Sequence, residues 1–262
     1  MPEPMQFHHH GYVSGDPRVS PAAQAGIDRP AQLPDEVDVL IVGTGPAGML
    51  LAAQLSQFPA ITTRIIERRP ARLEIGQADG IQARSVETFQ AFGFAEQIIS
   101  EAYWITAMNF WGPHPDDPER IIRTARTVDD PHGISEFPHL IVNQARVLDY
   151  FAEVAANSAS RMRPDYGLDC VGLAVGDASQ ASHPVTVTLR HTSGEHEGEQ
   201  RQVGAKYVVG CDGARSVVRD AIGRRMTGDK ALHAWAVMDV LAVTDFPDIR
   251  TKCAIQSEHG SI

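Results

Sequence analysis

The chain has 262 residues, 43% of them hydrophobic, which is enough for one large domain or one domain and part of a second. A formal net charge of −10 argues against nucleic acid as a partner, but leaves a small anionic ligand open because such a ligand feels local charge. Cys170, Cys211 and Cys253 are widely spaced and odd in number, which suggests neither a disulfide framework nor a zinc-ligand spacing and points to free thiols in a reducing cytoplasm.

Residues 1–7 lack the basic and apolar regions of a signal peptide, and no apolar run approaches the roughly 20 residues of a membrane span. The expectation is a soluble, cytoplasmic protein with no membrane partner. His8–His10 are expected to be exposed and idle, since three adjacent histidines do not converge easily on one ion. Residues 14–36 read as an arm or linker lying on a surface. Val37–Val42 is an apolar, β-branched run of the buried-strand kind, followed by a glycine turn at 43–48. A helix is predicted over 46–57 and a second strand over 62–67. Further helices are predicted over 84–92, with Gly93 as stop signal, over 145–156 and over 216–222. Residues 137–144 read as partly extended. Strands are predicted over 171–175, 185–189 and 207–210, with a hydrophilic hairpin tip between 190 and 201. Residues 234–243 and 252–256 read as the first strands of a new sheet. The last residues show no terminal pattern, so the chain is expected to be incomplete.

Gly43-Thr44-Gly45-Pro46-Ala47-Gly48 sits between a buried strand and a helix. In that setting Gly43 makes the turn, Gly45 lets a pyrophosphate approach the backbone, and Gly48 packs helix on strand. Free N–H groups, including that of Ala47, and the helix dipole then face the phosphates. Pro46 suits the first turn because its missing N–H had no intrahelical partner. Glu67 ends the second strand roughly 20 residues on, where a ribose-binding acid is expected. These features imply an adenine dinucleotide, with FAD and NAD both open at this point.

A second turn, Gly210-Cys211-Asp212-Gly213, again follows a strand and precedes a helix, with Arg215 and Arg219 placed one turn apart. With this pair of motifs the sequence resembles the group A flavoprotein aromatic hydroxylases. The resemblance implies FAD on the first motif, Asp212 assisting FAD and the passing NAD(P)H, and no separate nicotinamide domain. Gly76-Gln77-Ala78-Asp79-Gly80-Ile81 with Arg84 resembles the phenol hydroxylase branch, in which this segment runs beside the flavin and its Asp faces the substrate. Asn143-Gln144-Ala145-Arg146-Val147 resembles the stretch whose Gln contacts the flavin side chain. Gln77, Arg84 and Gln144 are therefore candidate cofactor contacts.

The resemblance implies oxygen transfer from reduced flavin and dioxygen to a phenol. A phenol is more nucleophilic once its proton is lost, and a nearby carboxylate acting as base is worth roughly 10²–10⁴-fold. Asp79 is the candidate base, the alternative being a turn carboxylate. A benzoate substrate also needs a cationic partner. His139 and Lys252 are the candidates, against a core histidine and a snorkelling edge-strand lysine.

The expected fold is α/β: a Rossmann-like FAD-binding domain of the glutathione reductase-like, two-dinucleotide-motif type, with the start of a mixed-sheet substrate domain. The expected boundaries are an arm over 1–36, the FAD-binding domain over 37–230 and the substrate domain over 231–262. The expected reaction is NAD(P)H-dependent hydroxylation of a phenolic acid, 3-hydroxybenzoate to 3,4-dihydroxybenzoate. Alternatives are a phenol-type hydroxylase of the same architecture and a non-catalytic FAD-binding fragment. The expected partners are the aromatic acid and dioxygen, with no metal. A homodimer through further C-terminal parts is left open.

Overall fold

The structure is a computed structural model that describes residues 15–16, 18–76, 78–229, 232, 234 and 236–262. The expectations for His8–His10, for residues 1–7 and for Gln77 fall outside those residues. The strands open with β1 (Glu36–Val42) and β2 (Thr63–Glu67). Next come β3 (Gly80–Ile81), β4 (Tyr103–Ile105), β5 (Ala107–His114), β6 (Asp117–Val128) and β7 (His139–Ile141). They continue with β8 (Asp165–Tyr166), β9 (Leu168–Val175), β10 (Val185–His191) and β11 (Gln200–Gly210), and close with β12 (Lys252–Ser257) and β13 (Gly260–Ser261).

The chain divides into two compact units: residues up to Leu73 together with Leu148–Gly228, and Glu74–Val147 together with Asp229–Ile262. The sequence boundary at 230 differs from this division over 74–147, which group with 229–262. Long-range pairing is the reason, because β5 runs parallel to β12 with Met108 opposite Lys252.

The first unit is built on a six-stranded sheet of order β8-β2-β1-β11-β10-β9. β1 and β2 are parallel neighbours, buried on both faces, with Leu40, Ile41, Ile65 and Ile66 fully enclosed. That burial is why their sequences are near-continuous apolar runs. β11 is longer than the four residues expected. Its first half pairs antiparallel with β10 and its second half parallel with β1. Polar Gln200, Arg201 and Gln202 hide the first half from a search for apolar runs, although Val203 and Ala205 are fully buried. The core joins Leu33, Val37 and Leu40 to Val187, Leu189, Val203 and Ala205.

Residues 18–35, ahead of β1, are tied down more firmly than a surface linker. They contain a short helix, Gln24–Ile27, whose buried Gly26 lies so close to the Ala159 carbonyl that a Cβ would strike it. Arg161, Arg64 and Arg201 donate to the carbonyls of Ser20, Pro30 and Leu33. Side-chain-to-backbone bonds of this kind leave no periodic trace in the sequence. Arg64 is itself ion-paired to Asp165, with both side chains largely buried.

The second unit holds a mixed four-stranded sheet of order β13-β12-β5-β6 and an antiparallel three-stranded sheet of order β3-β7-β4. Trp111 and Arg123 both donate to Asp248, fixing the turn before β12 to the β5–β6 hairpin. The predicted helix near 84–92 is present at Ala83–Ala91, and Gly93 follows it with a φ of 81°. The strand expected over 234–243 is not formed at 234 or 236–243, and Val237, Leu241 and Val243 are exposed. Apolar alternation yields a strand only where a neighbour supplies hydrogen-bond partners, and none of the described strands pairs with this run. No helix among the described residues is long and apolar enough to cross a membrane.

Candidate active site

Both glycine turns rise from the same end of the first unit's sheet. Val42 is the register partner of Ile66 on one side and Gly210 on the other, so the chain leaves β1, β2 and β11 side by side. The Gly43 N–H donates to Ile66 O at 2.9 Å and the Cys211 N–H to Val42 O at 2.8 Å. The C-terminal edge of parallel strands is where open α/β sheets take their ligands.

The three glycines of the first turn have different physical duties. Gly43 has a φ of 102°, and a Cβ on it would sit 2.5 Å from Cys211 O, so the two turns pack directly on each other. A Cβ on Gly48 would fall on the Gly43 carbonyl oxygen and 3.2 Å from Cys211 Cβ, so this glycine permits helix and turn to touch. Gly45 is the exception: its φ is −67° and a Cβ there would meet nothing within 4 Å. The protein does not itself need a glycine at 45. The open space beside it leaves its backbone accessible to a ligand. Pro46 opens the helix Pro46–Leu55, and no side chain caps it. The N–H groups of Ala47 and Gly48 in its first turn therefore remain for a phosphate.

Glu67 is buried beside this turn, its side chain 6% exposed. Its Oε2 accepts from the Thr44 N–H (3.1 Å), the Thr44 hydroxyl (2.6 Å) and Arg69 Nη2 (3.0 Å). Among the described residues its Oε1 accepts only from the Arg69 N–H at 2.9 Å, which leaves this oxygen with capacity for a ribose hydroxyl. Burial works to raise the Glu67 pKa, but the bonds from Thr44 and Arg69 outweigh it and hold the carboxyl below its ordinary value. The Arg69 Nε is buried with no hydrogen-bond partner among the described residues, a donor suited to a polar ligand at this edge. Glycine-backed space at 45, free helix N–H groups, Glu67 Oε1 and Arg69 Nε together fit an adenosine diphosphate moiety.

Asp212 shares the edge. Its Oδ1 accepts from the Ser216 hydroxyl at 2.5 Å, and its Oδ2 from the N–H groups of Val217 (2.7 Å) and Val218 (3.2 Å). It thereby caps the helix Val217–Ala221, for which Ser216 is the N-cap. The helix starts after Arg215, so Arg215 and Arg219 do not stand one helical turn apart as expected. Arg219 instead folds back onto the Ala214 carbonyl.

The remaining candidates lie in the second unit. Asp79 is half-buried: its carbonyl accepts from the Val142 N–H and its Oδ1 from the Gln144 N–H at 3.3 Å. Gly76 packs on Gln144. Gly80 and Ile81 pair with Ile141 and Leu140, which places His139 against the same segment. His139 is buried, with Nδ1 2.9 Å from Asp129 Oδ1 and Nε2 3.4 Å from Gln82 Nε2. Arg84 is exposed on the helix Ala83–Ala91. Lys252 opens β12, half-buried, and among the described residues makes no hydrogen bond or ion pair with Asp79 or His139. Thr44, Arg69 and Asp129 were not singled out from sequence. Thr44 stands at a variable position of the turn, and Asp129 has no motif spacing to His139.

The FAD binding domain family matches residues 36–262. Over 98% of its length the chain is 52% identical to a 3-hydroxybenzoate 4-monooxygenase of Comamonas testosteroni, and it covers 40% of that protein. It is 31% identical to a phenol 2-monooxygenase of Aspergillus fumigatus, over 87% of this chain and 36% of the relative. The chain thus spans about two fifths or less of the length of these relatives. Among solved structures, an anhydrotetracycline hydroxylase of Streptomyces rimosus superposes with a TM-score of 0.54 at 26% identity, covering 74% of this chain and 35% of that one. A flavin-dependent monooxygenase, PieE, in complex with FAD and substrate superposes with a TM-score of 0.59 at 24% identity, covering 73% and 33%, and shows the fold alone.

Proposed function

The chain belongs to the FAD-binding domain family, and we propose that it is the flavin-holding part of an NAD(P)H-using monooxygenase that hydroxylates a phenolic acid of the 3-hydroxybenzoate type. The observation that carries this reading is the direct packing of the 43–48 turn on the 210–213 turn at one sheet edge. One flavin nucleotide reaches both. FAD, when bound and reduced by NAD(P)H, supplies activated dioxygen for insertion into the ring.

Within this reading Gly43, Gly45, Pro46, Ala47 and Gly48 hold the pyrophosphate and Glu67 the ribose. Asp212 steadies the second turn against the cofactor, and Gln77, Arg84 and Gln144 are its remaining contacts. Asp79 accepts or relays the phenolic proton, while His139 and Lys252 contact the substrate. The expected setting is the cytoplasm, where free thiols persist.

The test is to supply FAD, NADH or NADPH, and ¹⁸O₂ with 3-hydroxybenzoate. The expected product is 3,4-dihydroxybenzoate carrying one ¹⁸O. Unlabelled product, or cofactor oxidation without product, refutes the proposal. A neutral phenol as substrate is the second reading, favoured by the similarity to a phenol 2-monooxygenase. Phenol turned over faster than 3-hydroxybenzoate, with that ratio unchanged in Lys252→Met, would support it.

A further inference from the structure

His139 lies in the second unit and is 6% exposed, so both nitrogens of its ring need partners. Its Nδ1 lies 2.9 Å from Asp129 Oδ1. An ionised carboxylate only accepts, so Nδ1 carries the hydrogen. On the other side, the Gln82 amide nitrogen lies 3.4 Å from Nε2, and an amide N–H₂ only donates, so Nε2 is the acceptor. With the Gln82 amide in this orientation, both neighbours fit the same tautomer. Asp129 is in turn anchored through its N–H to the Thr106 carbonyl, and β7 fixes His139 opposite Ile105 of β4. The ring is therefore held from behind while Nε2 faces the Asp79–Gln82 segment, 3.9 Å from where a Gly80 Cβ would stand.

We propose that Asp129 is a positioning residue that locks His139 in the Nδ1–H form, so that Nε2 accepts a hydrogen bond from the phenolic hydroxyl of the substrate. This rests on the hydroxybenzoate reading above and refines it. A neutral ring with an outward lone pair repels a carboxylate and attracts an O–H group, so the carboxylate of the substrate is left to Lys252. The hydroxyl takes the place of the Gln82 amide at Nε2. The single hydrogen of that hydroxyl points at Nε2, so the proton lost on ionisation passes first to His139, where the Asp129 carboxylate offsets the charge of the ring, and Asp79 acts as a relay beyond it.

The test is histidine-selective ¹⁵N NMR of the FAD-supplemented chain, with His139→Gln identifying the His139 signals. The wild type is expected to show His139 as a single Nδ1–H tautomer. Asp129→Asn should shift it to a tautomer mixture, and Asp129→Glu should restore it, which separates positioning from general damage to the fold. Titration with 3-hydroxybenzoate should move the Nε2 resonance, and benzoate, which lacks the hydroxyl, should not. A His139 found as Nε2–H, or one indifferent to Asp129→Asn, overturns the positioning role. Benzoate moving Nε2 as far as 3-hydroxybenzoate overturns the assignment to the hydroxyl. If the tautomer responds to Asp129 as expected and neither ligand moves any resonance, the hydroxybenzoate reading fails while the Asp129–His139 lock stands.

Discussion

Replacing Gly45 by alanine separates what the fold needs from what the cofactor needs. Gly45 has extended backbone angles, φ −67° and ψ 178°, that alanine adopts without strain, and its Cβ would point into open space. Without FAD, Gly45→Ala should be neutral or stabilising by about 0.4–1 kcal/mol through lower unfolded-state entropy. In a unit of this size that corresponds to roughly 1–4 °C in Tm. With FAD, the new methyl holds the pyrophosphate off the backbone. One charge-assisted hydrogen bond is worth about 1.5–3 kcal/mol, so affinity should fall roughly 10- to 150-fold. At FAD equal to about 100 times the wild-type Kd, the wild type gains about 2.7 kcal/mol. A variant weakened about 30-fold keeps only about 0.9 kcal/mol at that concentration. Thermal melts with and without FAD, paired with calorimetric titration, read both effects. A Gly45→Ala chain that binds FAD as tightly as wild type would refute the path assigned to the pyrophosphate.

Gly48→Ala should do the reverse and lower Tm in the absence of FAD, because its Cβ strikes the Gly43 carbonyl. Asp212→Ala removes three capping bonds and should lower the Tm of the FAD-free chain by roughly 1–8 °C, whereas an Asp that served ligand alone would leave it unchanged. Glu67 has a folded pKa below its ordinary 4.5, so its contribution to stability is present above that value and lost as pH falls through the lower folded one. Between pH 5 and pH 3 the Tm of wild type should therefore fall more steeply than that of Glu67→Gln, as seen in parallel melts. Burial pushes the Cys170 thiol up to about 11, so at pH 8 it should react with a thiol reagent only on unfolding, as read by timed labelling with peptide mass analysis.

The parts of the fold that were legible are those whose signal is local. The buried run before Gly43, the glycine turn and the helix after Pro46 each follow from neighbours in sequence, and so does the turn at 210–213. What stayed hidden depends on distant partners. The antiparallel half of β11 reads as polar because only alternate residues face the core. The β5–β6 hairpin, whose register shifts between Phe110 and Trp111, breaks the simple alternation and went unread. The run at 234–243 has the composition of a strand, but its described residues pair with none of the described strands. At the site, the residue types at 43–48, 67 and 212 announced a nucleotide. The second role of Asp212 as a helix cap, the spare oxygen of Glu67 and the Asp129–His139 bond exist only in three dimensions.

The measurement that bears most directly on the central claim is amide hydrogen exchange followed by mass spectrometry during a titration with FAD. One nucleotide gripped by both turns predicts that peptides covering 44–49 and 211–218 gain protection together, with the same midpoint and a stoichiometry of one. Protection confined to one turn, or two separate midpoints, would contradict it.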